Sequence, residues 1–283
     1  MSVRSTQHER AYPRVLLAEH NRISQRLFVR MLARLGYEVC LAGDCEEALQ
    51  IYQRRAAEFS LVILDLKTPF DGGIDLLRRW PRDVNVRHVP VIALGDDPAV
   101  SAREACLAAG ADLYLAEALR NDRLSHAVRS LSALPGGAGM SAPGGAATGP
   151  VLAGPLDEKT FRSLLDLSPE PSFIQELMDD FRREGTGHFA CLQEALKERD
   201  VAEWREALYG LRGSAVGLGA AMLAQLCDQL QVFSEDAIRA GEGYSEYAYL
   251  LEVFNRTADA MQDMILERFH PRESDPGARE SGA

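Results

Sequence analysis

Apolar residues in the first half of the chain fall in short, nearly unbroken runs separated by longer amphipathic stretches. RVLLA (14–18), YEVCLA (37–42), SLVILD (60–65), VPVIAL (89–94) and DLYLA (112–116) have the continuous apolar character of parallel strands covered on both faces. Helical patterns lie between them. RISQRLFVRMLARLG places Ile23, Leu27, Met31 and Leu35 near one face and stops at Gly36. The next helix starts at Asp44, with Glu47 three residues on in a capping-box arrangement. Asp97 and Pro98 supply an N-cap and a first-turn proline for the fourth. Repeated βα units predict a doubly wound α/β domain built on a five-stranded parallel sheet. In such sheets the functional cleft lies at the carboxyl ends of the strands.

The second half has no strand-like alternation. Helical runs are predicted over 157–168, 171–200, 201–218, 220–240 and 245–269, with short connections that make an antiparallel all-α bundle. Arg212, Gly213 and Ser214 lie inside the third of these, where glycine permits a close approach or leaves a neighbour uncovered. Phe233, Tyr244, Tyr247, Tyr249 and Phe254 fall at helical spacings expected to pack the bundle, and Glu176, Asp179 and Asp180 on a solvated face. Between the halves, residues 133–155 are almost all Gly, Ala, Pro and other small residues, the composition of a flexible linker. The expected organisation is an N-terminal extension (1–12), an α/β domain (13–132), the linker (133–155), a helical bundle (156–272) and a disordered tail (273–283).

Composition narrows the class. Of 283 residues, 46% are hydrophobic and 26% charged, as in ordinary globular proteins, and no apolar run is long enough to span a bilayer. The opening MSVRSTQHER lacks the apolar core of a signal peptide, so a cytoplasmic location is expected. The five cysteines contain no CxxC pair, which points to reduced thiols rather than a zinc site built on thiolates. A net charge of −11 argues against nucleic-acid binding. Residues 13–132 hold 16 basic and 16 acidic side chains, whereas 156–272 hold 12 and 22, so the acidity belongs to the bundle, which could attract a basic protein face.

Chemistry is suggested by VILDLKTP (62–69), a buried strand that ends in a carboxylate at Asp65, and by Glu19 just past the first strand. VLLAEHN (15–21), VILDLKTP, VIAL (91–94) and AGADLYLAEAL (109–119) together resemble a two-component receiver domain, and NRISQRLFVRMLARLGY (21–37) is similar to receivers attached to hybrid sensor kinases. LYGLRGSAVGLGA (208–220) resembles the central helix of a histidine phosphotransfer domain, His-x-Leu-Lys/Arg-Gly-Ser followed by Gly-Ala. The resemblance implies that Asp65 is the phosphoacceptor position and that Mg²⁺ would bridge carboxylates and phosphate oxygens.

Several positions depart from those patterns. The family's acidic pair in the first loop is Glu19 and His20 here, which puts an imidazole where a hard cation prefers oxygen. The Ser or Thr ending the fourth strand is Gly95, the lysine ending the fifth is Glu117 followed by Ala118, and the switch aromatic is Tyr114. At about 6 Å and an effective dielectric near 20, Glu117 and Asp65 would repel by roughly 3 kcal/mol. The phosphotransfer histidine falls at Tyr209, ahead of Arg212, Gly213 and Ser214, and a phenol is no imidazole nucleophile at neutral pH. His188, 21 residues upstream of Tyr209, is read as a partly exposed surface residue outside that register.

The reading is therefore a non-enzymatic bacterial adaptor, a pseudo-receiver joined to a pseudo-phosphotransfer bundle, that binds a histidine kinase or a receiver domain and could self-associate through its own receiver. No sensor segment, ATP-binding glycine motif or DNA-binding module is visible, and a chain opening on methionine is expected to be an entire protein. No cofactor is expected, and Mg²⁺ binding by Glu19 and Asp65 is weak or absent. Three alternatives stand beside it. A partner kinase could still phosphorylate Asp65; Glu19, His20, Asp65 and Glu117 could hold a transition metal; an aspartate-dependent phosphatase would need a second aspartate where Lys67 stands.

Overall fold

The computed structural model describes residues 12–66, 73–81, 88–95, 97, 99–116, 123–132, 155–231, 235–240 and 242–269. The chain divides into two compact units, residues 1–148 and 149–283. Residues 133–154 of the expected linker, the expected tail and all but Tyr12 of the expected N-terminal extension lie outside the described residues, as do Lys67, Pro98, Glu117, Ala118 and Phe233.

In the first unit five strands, β1 (Arg14–Ala18), β2 (Glu38–Ala42), β3 (Phe59–Asp65), β4 (Val91–Gly95) and β5 (Leu113–Ala116), form one parallel sheet in the order β2-β1-β3-β4-β5. Helices α1 (Arg22–Arg34), α2 (Cys45–Arg55), α3 (Gly73–Arg79), α4 (Val100–Ala109) and α5 (Arg123–Ser132) connect and cover it. Side chains alternate across the pleat, so two cores form, one on each face. Leu16, Val62, Leu64 and Ala93 pack with Ala48, Leu49 and Leu76 on one side. Leu17, Ile63, Ile92 and Leu94 pack with Phe28, Leu32 and Leu124 on the other. Both faces are apolar, which is why the strands read as unbroken runs.

Helix boundaries follow the local chemistry. Asn21 caps α1, its Oδ1 accepting from Ser24 N–H at 2.9 Å. The helix ends as Gly36 turns left-handed at φ +84° and Tyr37 N–H returns to Leu32 O. Asp44 caps α2 through Glu47 N–H at 2.7 Å, while the Glu47 carboxylate accepts from Gly43 N–H, one residue before the cap. The start of α4 differs from expectation. Its N-cap is Ala99, because Asp97 is spent on a tight turn, its Oδ1 accepting from Ala99 N–H at 2.8 Å.

The second unit is helical: α6 (Glu158–Leu165), α7 (Pro171–Glu198), α8 (Val201–Leu218), α9 (Ala221–Gln231), α10 (Glu235–Ala240) and α11 (Tyr244–Phe269). The run expected over 220–240 is α9 and α10, on either side of residues 232–234. Helix α8 packs between α7 and α9, and α11 closes the bundle against both. Asp200 caps α8 by accepting from Ala202 and Glu203 N–H. Trp204, Phe161 and Phe181 are almost fully buried. Phe254 packs at 4.8 Å from Phe181 and 5.3 Å from Phe189, and Tyr247 meets Phe189 edge-on at 5.7 Å.

Two expectations for the bundle are corrected. Tyr244 and Tyr249 do not pack it; each is half exposed, since they fall on the outer face of α11. Asp180 is not solvated but buried, turned inward on α7 and paired with Arg183, while Glu176 and Asp179 are exposed.

Gly185 lets the Phe254 ring lie against α7, where an added Cβ would fall 2.3 Å from Cζ. Gly185→Ala should therefore cost about 1–3 kcal/mol through overpacking despite alanine's better helix propensity. Phe254→Leu in the same chain should recover part of that loss, read by denaturant unfolding of both variants.

Candidate functional site

Strand register builds the polar end of the sheet. β1 and β3 are adjacent and Ala18 sits opposite Leu64, so the next residues, Glu19 and Asp65, leave the sheet side by side. Both are buried, at 3% and 5% exposure. Glu19 is held at both ends: its Oε1 accepts from Asn21 N–H at 2.8 Å and its carbonyl from Gln25 Nε2 at 2.6 Å. His20 Nδ1 lies 3.5 Å from Glu19 Oε1 and 4.0 Å from Asp65 Oδ2. One donor atom from each of the three falls within 4.8 Å of the others. At that separation and an effective dielectric near 20, two carboxylates repel by roughly 3–4 kcal/mol, which a cation between them offsets. The Cys45 thiol donates to Asp65 O at 3.1 Å, and burial, aided by Asp65, Asp44 and Glu19, pushes its pKa up to about 12.

Magnesium does not fit this donor set. It takes oxygen ligands in a near-ideal octahedron, and the third donor beside the two carboxylates is an imidazole nitrogen, a poor partner for a hard cation. Glu117, the remaining charged residue expected here, lies outside the described residues.

Gly95 ends β4 beside the same edge. A Cβ there would fall 2.2 Å from the Tyr114 hydroxyl and 2.7 Å from its ring. The phenol thus fills the space that a side chain at 95 would take. Its hydroxyl donates to Asp97 O at 2.9 Å, and burial leads the effects that raise its pKa to about 12. Tyr114 is buried, at 8% exposure.

On the bundle, Tyr209 and Arg212 are half-buried on α8 and Ser214 is fully buried. Ser214 Oγ donates to Glu184 Oε2 of α7 at 2.9 Å and so ties the two helices together. Arg212 pairs through Nε with Asp228 of α9 rather than projecting from the surface. A close approach on α8 is made by Gly210, one turn before Gly213. A Cβ at 210 would fall 2.2 Å from His188 Cε1, so the imidazole of α7 lies against α8 beside Tyr209. Sequence distance had placed His188 apart from this motif, but the antiparallel pairing of α7 with α8 brings the two together. The helix-interior Gly210 was the available signal for that contact; Glu184 had none.

Residues 15–129 match the response regulator receiver domain family. Over 118 residues the chain is 36% identical to the transcriptional regulatory protein PmrA of Pectobacterium parmentieri, covering 42% of this chain and 51% of that one. It is 33% identical over 119 residues to the peroxide stress-activated histidine kinase mak2 of Schizosaccharomyces pombe, covering 40% of this chain and 5% of the kinase. The matched region thus spans about half or less of these relatives' own length. Among solved structures, the receiver domain of Francisella response regulator 1452 aligns at 26% identity and a TM-score of 0.38, over 42% of this chain and 95% of that one. The first unit carries a receiver domain of two-component signalling.

The Gly95–Tyr114 contact is testable by a double-mutant cycle. Gly95→Thr should cost about 1–3 kcal/mol and expose the tyrosine. In a Tyr114→Ala background the same change should cost at least about 1 kcal/mol less, measured by denaturant unfolding and tyrosine accessibility.

Proposed function

We propose that the chain is a two-component signalling adaptor, a pseudo-receiver joined to a pseudo-phosphotransfer bundle, that works by binding a histidine kinase or a receiver domain rather than by carrying phosphate. The observation that carries this reading is the Tyr114 phenol lodged where a hydroxyl side chain at position 95 would stand. The pocket beside Asp65 has lost a phosphate-binding group and its place is filled. A donor set that magnesium does not fit points the same way. The resemblance of 208–220 to a phosphotransfer helix, with a phenol at position 209, extends the reading to the bundle, whose excess of acidic residues suits a basic docking face.

Association would use the exposed part of α7 and α8 around Tyr209 and His188. A half-buried aromatic beside a half-buried imidazole is the type of patch that carries interface hot spots. The cytoplasm is the proposed setting. Among the described residues, no helix is long and apolar enough to cross a membrane.

A second reading is favoured by Asp65 itself, still buried at the carboxyl end of β3 beside Glu19. There a partner kinase supplies the missing groups and Asp65 accepts phosphate. Incubation with acetyl phosphate or a cognate kinase and Mg²⁺ separates the two. The adaptor reading expects no stoichiometric label; label on the wild type that disappears in Asp65→Ala establishes the second. For the bundle, Tyr209→Ala should weaken the binding of a partner receiver by about 1–2 kcal/mol in a titration, with the helical signal unchanged.

A further inference from the structure

We infer that Glu19, His20 and Asp65 form a binding site for a first-row transition metal ion, zinc foremost, at the carboxyl edge of the sheet. The inference rests on the reading that magnesium does not fit this pocket, and goes beyond it by naming the ion that does. Three features carry it: the chemistry of the donors, their spacing and the support behind them.

The donors are two carboxylates and one imidazole, a mixed nitrogen and oxygen set that suits zinc and its first-row neighbours and discriminates against magnesium and calcium. Tetrahedral ligands about 2.0–2.2 Å from one zinc ion lie roughly 3.3–3.6 Å apart. The observed donor atoms are within 4.8 Å of one another, with His20 Nδ1 at 3.5 and 4.0 Å from the two carboxylate oxygens. His20 Nδ1 is thus close to ligand spacing from both acids, and closing the whole triad on an ion takes side-chain shifts of up to about an ångström.

Support comes from the backbone. Glu19 and Asp65 are fixed by the β1–β3 register, and Asn21 N–H holds Glu19 Oε1 while the Asn21 side chain caps α1. Groups that orient metal ligands in this way tune affinity as much as the ligands do. The carboxylates are buried while the His20 side chain is one-third exposed, so an ion enters from the solvent side and keeps positions open for water or an anionic group.

The test is a calorimetric titration of the full chain, stripped with a chelator, using zinc, manganese and magnesium chlorides in turn. The expected result is one equivalent of zinc bound at least about 100-fold more tightly than magnesium. His20→Asp should lower zinc affinity about 10–100-fold and raise magnesium affinity, reversing the preference. Asp65→Asn should abolish stoichiometric binding. Cobalt substitution gives a second readout, visible d–d bands that vanish in His20→Ala. The free thiols, Cys191 exposed and Cys40 half-buried, are competing ligands, and binding there would show thiolate-to-cobalt charge transfer instead.

Zinc affinity unchanged in folded His20→Ala protein overturns the inference, as does thiolate charge transfer or a wild type that binds no zinc. These outcomes are distinct from phosphate labelling. A chain that neither binds zinc nor takes label sinks the metal site and leaves the adaptor reading intact, while Asp65-dependent label with magnesium sinks the reading on which both rest.

Discussion

The parallel pairing of β1 with β3 governs the first unit. Once Ala18 lies opposite Leu64, two carboxylates emerge together from the sheet edge with little water around them. Neither can be moved without shifting a strand whose side chains fill both cores. The pocket's negative charge is thus imposed by the fold, and the neighbouring groups have to answer it. His20 stands between the two acids, and Tyr114 is drawn into the hollow at Gly95.

The second unit rests on a different constraint, the mutual fit of glycines and rings. Gly185 receives Phe254 and Gly210 receives His188, each letting a flat side chain lie on helix backbone. The Ser214–Glu184 hydrogen bond fixes the rotation of α8 against α7, and the Arg212–Asp228 pair fixes it against α9. A partly exposed ion pair contributes little to stability, so Arg212–Asp228 serves mainly to orient the helices. Ser214 is buried, and its hydrogen bond matters more.

Much of the fold was legible because strands covered on both faces leave unbroken apolar runs and because caps such as Asn21, Asp44 and Asp200 leave short polar signatures. Asp65 and Glu19 were legible as a site for the same reason: acids at the end of apolar runs are conspicuous. What sequence could not supply was contact between elements. Nothing in the spacing of Asp97 told that its carboxylate would close a turn and leave Ala99 as the cap, or that Asp180 would turn inward. Gly95 read only as a lost hydroxyl until the phenol was found in its place, and His188 read as remote until α7 folded back on α8.

The Gly95–Tyr114 arrangement bears on what position 95 can accommodate. A mutation that placed a hydroxyl side chain at position 95 would meet an occupied space, and would be destabilising before it could do any chemistry. Any side chain at position 95 would require the tyrosine to retreat in the same step. That pairing couples the two positions, so neither residue can change alone without disturbing the other.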